Sequence, residues 1–312
     1  MKLAISLIQV LLIVGTAPLL RGVVARIKAR IQNRRGASVF RPYADLWKLF
    51  RKEDLVPSTA SLLFRLCPVI LFAATLMAAA FVPVLHVSAL LGDRGDFILL
   101  VYLLALARFF LVLGAMDGGS SFGGMGASRE ALVSALAEAP LLLGLIAIAV
   151  VSHSASIASI VRWAISRAPF VLSPAHAFAC VALVLVTIAE TGRVPVDNPS
   201  THLELTMIHE AMVLEYSGPS LALIEWANAI KLNLMLALLV ALFVPWGVAA
   251  TISPVALAIA LLCYPLKIAL LAVALAALES SVAKLRMYLV PEYLGTACAL
   301  SVLAVVFTAF TR

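Results

Sequence analysis

FILLVYLLALARFFLVLGAM, residues Phe97–Met116, is an apolar run interrupted by one charge, Arg108. A bilayer core is about 30 Å thick and takes about 20 apolar residues per helix. The stretch therefore reads as a membrane-spanning helix. Working outward, seven more runs are candidates: roughly Leu3–Leu20, Leu66–Leu85, Ala131–Val151, the shorter Ala175–Ile188, Leu221–Val248, Pro254–Leu278 and Tyr293–Phe310. Composition agrees. The 312 residues are 63% apolar and 12% charged, against roughly 45–50% and 25% in soluble domains. The expected fold class is all-α, a polytopic integral membrane protein of about eight transmembrane helices forming one membrane domain over 1–312. No internal repeat is visible, which argues against an inverted-repeat transporter.

Charge sets the expected orientation. The basic loop 21–65 holds eleven of the 23 Lys and Arg residues. The positive-inside rule places it in the cytoplasm, and eight spans then put both termini on the outer side. On this assignment fifteen basic residues lie inside and five outside, while Arg108, Lys231 and Lys267 fall within spans. The net charge of +7 then reflects topology and contact with anionic membrane lipid, not binding of nucleic acid. Met1–Leu20 has the look of a signal peptide, but the dense positive charge of Arg21–Arg35 right behind it fits a first span. Within the basic loop, Val23, Ile27 and Ile31 recur every four residues, and Leu46, Leu49 and Phe50 share a helical face. Both segments predict amphipathic helices on the cytoplasmic membrane surface, with a turn at Asn33–Gly36 between them.

The four cysteines, Cys67, Cys180, Cys263 and Cys298, are isolated and lie in apolar runs. No CxxC occurs, so zinc and iron–sulfur ligand spacing is missing and buried thiols are expected. Any redox centre belongs to other subunits. No catalytic triad, Walker motif or dinucleotide fingerprint stands out.

Two further cytoplasmic loops carry the informative polar residues. The glycine-rich loop 117–130 begins DGGSSFGGMGASR (Asp117–Arg129), and Ser128 is expected to cap the fourth span. The acidic loop 190–220 contains ETGRVPVDNPSTHLELTMIHEAMVLEYSG (Glu190–Gly218), with Glu190, Asp197, Glu204, Glu210 and Glu215. Carboxylates at the hydrocarbon edge are costly unless they serve conduction or binding. The segment therefore points to a proton or ligand path, or to a docking face. Pro195 and the Asp197–Pro199 turn precede an expected polar helix. On that helix His202 and His209 share one stripe, and Glu204 and Glu215 share another. The stripes are well separated, so a single compact metal site is hard to build, and no metal is expected. Glu138 lies about two turns into the fourth span, where an ionised carboxylate costs about 2.5–3.5 kcal/mol. It is either a proton relay or one end of a hydrogen bond between helices. Arg108, Lys231 and Lys267 are the basic counterparts within spans.

Several of these motifs together carry a family resemblance over nearly the whole chain. AETGRVP (Ala189–Pro195), then Asp197, Glu204 and Glu215–Ser217, resembles the signature of the NADH dehydrogenase subunit 1 family of complex I. Gly126-Ala127 with Arg129, followed by Glu138, resembles a second motif of that family. Arg26–Lys52, with Tyr43-Ala44-Asp45 and Lys48-Leu49, resembles its first basic loop. Gln32–Gly36 departs from the family's GPNR, and Ser200 and His202 stand where it has acids. Val196–Gly218 is more similar to the hydrogenase-4 component C type of subunit in group 4 membrane-bound NiFe hydrogenases, which is related to a formate hydrogenlyase membrane subunit.

The resemblance implies an anchoring and ion-translocation-coupling subunit in the cell (inner) membrane, with no cofactor of its own. The NiFe centre and iron–sulfur clusters would sit in partners: hydrogenase large and small subunits and ferredoxin-like iron–sulfur subunits. Antiporter-like membrane subunits would be further partners. It implies a proton path through Glu138, Glu190, Asp197, Glu204 and Glu215, to which the charge pattern adds Glu210 and Lys267. It also implies a docking face or quinone-like chamber at Arg35, Asp45 and Arg193, with Lys48, Asp117, Arg129, His202 and His209 in the same segments. The other function it implies is the quinone-chamber subunit of a respiratory NADH–quinone oxidoreductase.

Overall fold

The computed structural model describes residues 2–91, 96–166, 173–198 and 207–310. Among them run helices α1 (Lys2–Ile31), α2 (Arg41–Phe50), α3 (Leu62–Ala79), α4 (Phe97–Asp117), α5 (Ser121–Ser152), α6 (Ile157–Ser166), α7 (Pro174–Glu190), α8 (His209–Val213), α9 (Gly218–Phe243), α10 (Pro254–Ser281) and α11 (Val290–Phe310). Seven are long and apolar enough to cross a bilayer, and α7 is the short fifth run. The all-α membrane reading holds. Among the described residues the one β-type pairing is an isolated bridge between His86 and Ala249.

Serine caps set where several helices start. The side chains of Ser61, Ser120, Ser173 and Ser253 accept from the N–H of Leu63, Gly123, His176 and Ala256, satisfying donors that have no partner within the helix. Pro174 and Pro254 follow two of these caps at the first helical position, where a missing N–H costs nothing. The middle of the bundle is α9. Every residue from 229 to 243 is buried, as expected of a helix that is apolar all round. By contrast, α10 exposes Leu262, Leu266 and Leu270 along one face.

Sequence and structure differ in several places, each with a physical cause. Val23–Ile31 is not a separate surface helix but the end of α1. Arg21 and Lys28 find acids of the bundle, the half-buried Glu225 and the buried Glu279, so these charged turns stay against the bundle. The second span ends at Ala79 rather than Leu85. Pro83 follows, and the Gln9 side chain accepts from the N–H groups of Val84, Leu85 and His86 at 2.9, 2.9 and 3.1 Å. The glycine-rich stretch is helical from Ser121, because Ser120 caps it there and Ser128 instead bonds back to the Met125 carbonyl. The amphipathic helix of the first loop is α2, whose exposed face includes Phe40 just before it and Trp47 within it. In the fifth loop, helix covers His209–Val213, and Leu214 and Glu215 lie past its end. The expected polar stripes therefore do not extend to Glu215. His202 and Glu204 lie outside the described residues. Helix α6 has no counterpart among the expected runs.

Candidate functional site

The connections 32–61, 118–120, 191–198 with 207–217, and 282–289 gather at one end of the bundle, termed the loop end. Beneath it lies a chain of buried ion pairs. Glu190 closes α7 with a fully buried side chain. One of its carboxylate oxygens pairs with Arg108 of α4, and Lys231 of α9 lies 3.2 Å from the other. All three residues are buried. A buried charge is tolerated only when it is paired, and two cations from other helices supply that pairing for this one acid. Among the described residues the Arg108 Nε has no hydrogen-bond partner.

A second cluster sits beside the first. Glu279 of α10 lies 2.7 Å from Lys28 of α1 and 3.2 Å from Arg193, which follows α7. Burial pushes the Arg193 guanidinium below its ordinary value, while Glu279 acts in the opposite direction. A third centres on Asp197. It takes Lys284 at 2.6 Å and the backbone N–H of His209 at 3.1 Å. The His209 ring lies 2.7 Å from the Asn228 amide. Arg21 and Glu225 form a fourth pair.

Two cavities lie beside the Glu190 cluster and the Arg21–Glu225 pair. The inner one has about 90 Å³ of water-accessible volume and is lined by Arg108, Glu130, Glu190, Arg193, His209, Glu210 and Lys231. One water needs roughly 10–15 Å³ on this measure, so the space holds several. The outer one, about 520 Å³, lies between α1, α2, α8 and α9, and Pro18, Asp45, Leu49, Val213 and Leu221 are in its wall. Arg21, Glu210 and Ala229 line both. The inner chamber, with more charged side chains in its wall, thus meets a larger outer one at Arg21 and Glu210. Water in the inner chamber could carry protons between carboxylates without a side chain moving far.

The remaining sequence candidates fall into three groups. At the loop end, Asp45 pairs with Arg41 at 2.9 Å, Lys48 is exposed on α2, and Arg129 donates to the Met207 carbonyl at 2.8 Å. Asp117 accepts from the Ser61 and Phe64 N–H groups at 2.8 and 3.1 Å, so it anchors the start of α3. Glu215 lies against the α4–α5 turn at Gly118. Arg35 lies in a separate cleft between α1 and α10. Within α5, Glu138 is half-buried and has no ion pair among the described residues. Lys267 is apart from the rest. It donates to the Val244 carbonyl at 2.7 Å and to that of Trp246, at the opposite end of the bundle. Among the described residues, no three His, Cys, Asp or Glu side chains group as a metal would require.

Sequence reasoning missed Glu279 and the partners Lys28 and Lys284. Arg108 and Lys231 stand out in the sequence as charges within spans, but nothing in the sequence pairs them with Glu190.

Residues 3–309 match the NADH dehydrogenase family model. The chain is 35% identical to formate hydrogenlyase subunit 4 of Escherichia coli K12 over 297 residues, covering 94% of each. It is 34% identical to hydrogenase-4 component C of the same organism, covering 97% of this chain and 94% of that one. Identity to a subunit of the NADH-quinone oxidoreductase of Thermomicrobium roseum is 29%, over 69% of this chain and 70% of the relative. Among solved structures, a chain of an archaeal membrane-bound sulfane sulfur reductase superposes with a TM-score of 0.81 at 20% identity, covering 99% of this chain and 100% of that one. With a family match from end to end and relatives above 30% identity over nearly their full length, the chain belongs to the NADH dehydrogenase family of membrane subunits.

Proposed function

We propose that this chain is the membrane-anchoring and ion-translocation-coupling subunit of a membrane-bound NiFe hydrogenase of the formate hydrogenlyase type. It is a membrane subunit of a respiratory-type complex by its relatives. On our reading it sits in the cell inner membrane with its loop end in the cytoplasm. Hydrogenase large and small subunits and ferredoxin-like subunits dock there and carry the NiFe centre and the iron–sulfur clusters. Antiporter-like membrane subunits adjoin it in the bilayer. The observation that carries this reading is the inner chamber, where Glu190, Glu130 and Glu210 face water-accessible space beside buried cations. A redox event at the loop end that alters the field or hydration there would shift protons among these carboxylates.

The test uses the assembled complex in proteoliposomes, with hydrogen evolution and ion uptake measured side by side. Glu210→Gln and Glu138→Gln remove carboxylates that have no ion pair among the described residues. Both variants are expected to assemble and evolve hydrogen while losing most ion uptake. Full uptake in both would rule out the path. The outer chamber supports a second reading, a quinone-chamber subunit, because its volume of about 520 Å³ and its mixed wall suit a ring with a polar head. A quinone analogue that protects a cysteine placed at Asp45 from labelling would favour that reading over the first.

A further inference from the structure

The third cavity of the loop end takes no part in the proton path. It is a cleft of about 630 Å³ between the end of α1, the loop after it and the end of α10. Six cations line it: Arg21, Lys28, Arg34, Arg35, Arg193 and Lys284. Glu225, Glu279 and Asp197 pair with four of them. Arg34 and Arg35 are exposed and have no acid among the described residues. Among the described residues three positive charges therefore remain over in one concave site. Such a surplus attracts an anion of one or two charges.

The local fold holds this surplus in place. α1 ends with Asn33 at φ 55°, and the N–H groups of Asn33 and Arg34 reach back to the Arg30 and Ala29 carbonyls at 3.0 and 2.7 Å. This is the Schellman arrangement, and it turns the chain back along α1. Gly36 then packs on α1 so closely that a Cβ there would lie 3.1 Å from the Arg26 Cα. The loop is thus pinned with Arg34 and Arg35 in the cleft. The opposite wall holds Val282, just past α10, and the exposed apolar face of α10 runs away from it through Val273, Leu270, Leu266 and Leu262. Residues four apart share a helix face, so this stripe is continuous along the span.

We propose that this cleft binds the phosphodiester headgroup of an anionic lipid, with the acyl chains lying along the exposed stripe of α10. The shared chemistry is a phosphate held by arginines, which suit planar two-point contact with phosphate oxygens. The apolar stripe selects a lipid over a free phosphate or an acidic protein segment, neither of which would use it. Lys28 and Arg193 add charge from the wall while keeping Glu279 paired.

The experiment is native mass spectrometry of the full chain released from detergent micelles, with phosphatidylglycerol, phosphatidylcholine or inorganic phosphate added. Wild type is expected to retain phosphatidylglycerol and not phosphatidylcholine. Arg34→Gln with Arg35→Gln is expected to weaken that retention at least about tenfold, since it removes the two cleft arginines that no acid offsets among the described residues. Arg51→Gln with Lys52→Gln, exposed cations outside the cleft, removes the same charge and is expected to change retention little. Equal losses in the two pairs, or equal retention of phosphatidylcholine, would overturn the site. Complete displacement of the lipid by millimolar inorganic phosphate would overturn the lipid as occupant. Unchanged lipid retention together with loss of soluble partner subunits in a pull-down would make the cleft a protein-docking surface and end the proposal.

Discussion

At the scale of residues, one acid answers two cations inside the bundle. Glu190 faces Arg108 and Lys231, and nothing else of opposite charge pairs with either among the described residues. Glu190→Gln would leave both buried without a counter-charge. Removing one partner of a buried pair costs about 3–5 kcal/mol, so the purified chain in detergent should melt several degrees lower. Glu138→Gln removes a half-buried carboxylate with no ion pair and should leave the midpoint near that of wild type. Equal midpoints for the two variants would mean that Glu190 is not the counter-charge. Glu190 and Asp197 stood out in the sequence because carboxylates crowded at a membrane edge have few structural reasons to be there, whereas Arg193 came only from the family resemblance. Glu279 was not legible. It ends a long apolar run and reads as an ordinary boundary charge until α1 brings Lys28 within 2.7 Å. Pairing between distant spans leaves no local trace, so charge position could be read from the chain but charge partnership could not.

At the scale of elements, hydrophobic length was enough to find every long span, since the bilayer imposes a minimum that chance seldom meets. Boundaries depended on capping and on partners, which is why α1 outran its apolar run and α5 began inside the glycine-rich stretch. That stretch has a use that composition alone hid: it lets α5 approach α8. A Cβ on Gly126 would lie 2.9 Å from both the Ala211 Cβ and the Ile208 carbonyl oxygen, whereas one on Gly124 would meet nothing within 4 Å. Gly126→Val must therefore push α8 away, and α8 carries His209 and Glu210 into the inner chamber. Overpacking of this kind costs about 1–3 kcal/mol. We expect a lowered melting midpoint and a greater loss of ion uptake than of hydrogen evolution. Gly124→Ala should do neither. If the two substitutions behave alike, the close approach of α5 and α8 is not what positions the chamber.

At the scale of the whole molecule, the two ends of the bundle are built differently. The loop end carries the ion-pair chain, two chambers and the lipid cleft. The opposite end is stitched shut by backbone: the Ala249 N–H donates to the Leu85 carbonyl at 2.8 Å, the Val87 N–H donates to the Ala249 carbonyl at 3.1 Å, and Gln9 ties the same turn to α1. Lys267 seals the end of α9 there. Among the described residues the buried carboxylates are reached from the loop end, and on the proposed function an ion taken up there would leave sideways into a neighbouring membrane subunit. That conclusion has functional force only if the loop end faces the cytoplasm, where soluble redox partners would dock, as the excess of basic residues in loop 21–65 predicts. Single cysteines in a background with the four native cysteines replaced by alanine decide it. Arg35→Cys should react with a membrane-impermeant maleimide in inverted vesicles and stay silent in intact spheroplasts. Thr251→Cys, exposed at the stitched end, should do the reverse. The opposite pattern would invert the molecule, put the chambers on the outer side, and leave the sealed end facing the soluble arm, an arrangement in which the buried carboxylates could not couple to a cytoplasmic hydrogenase.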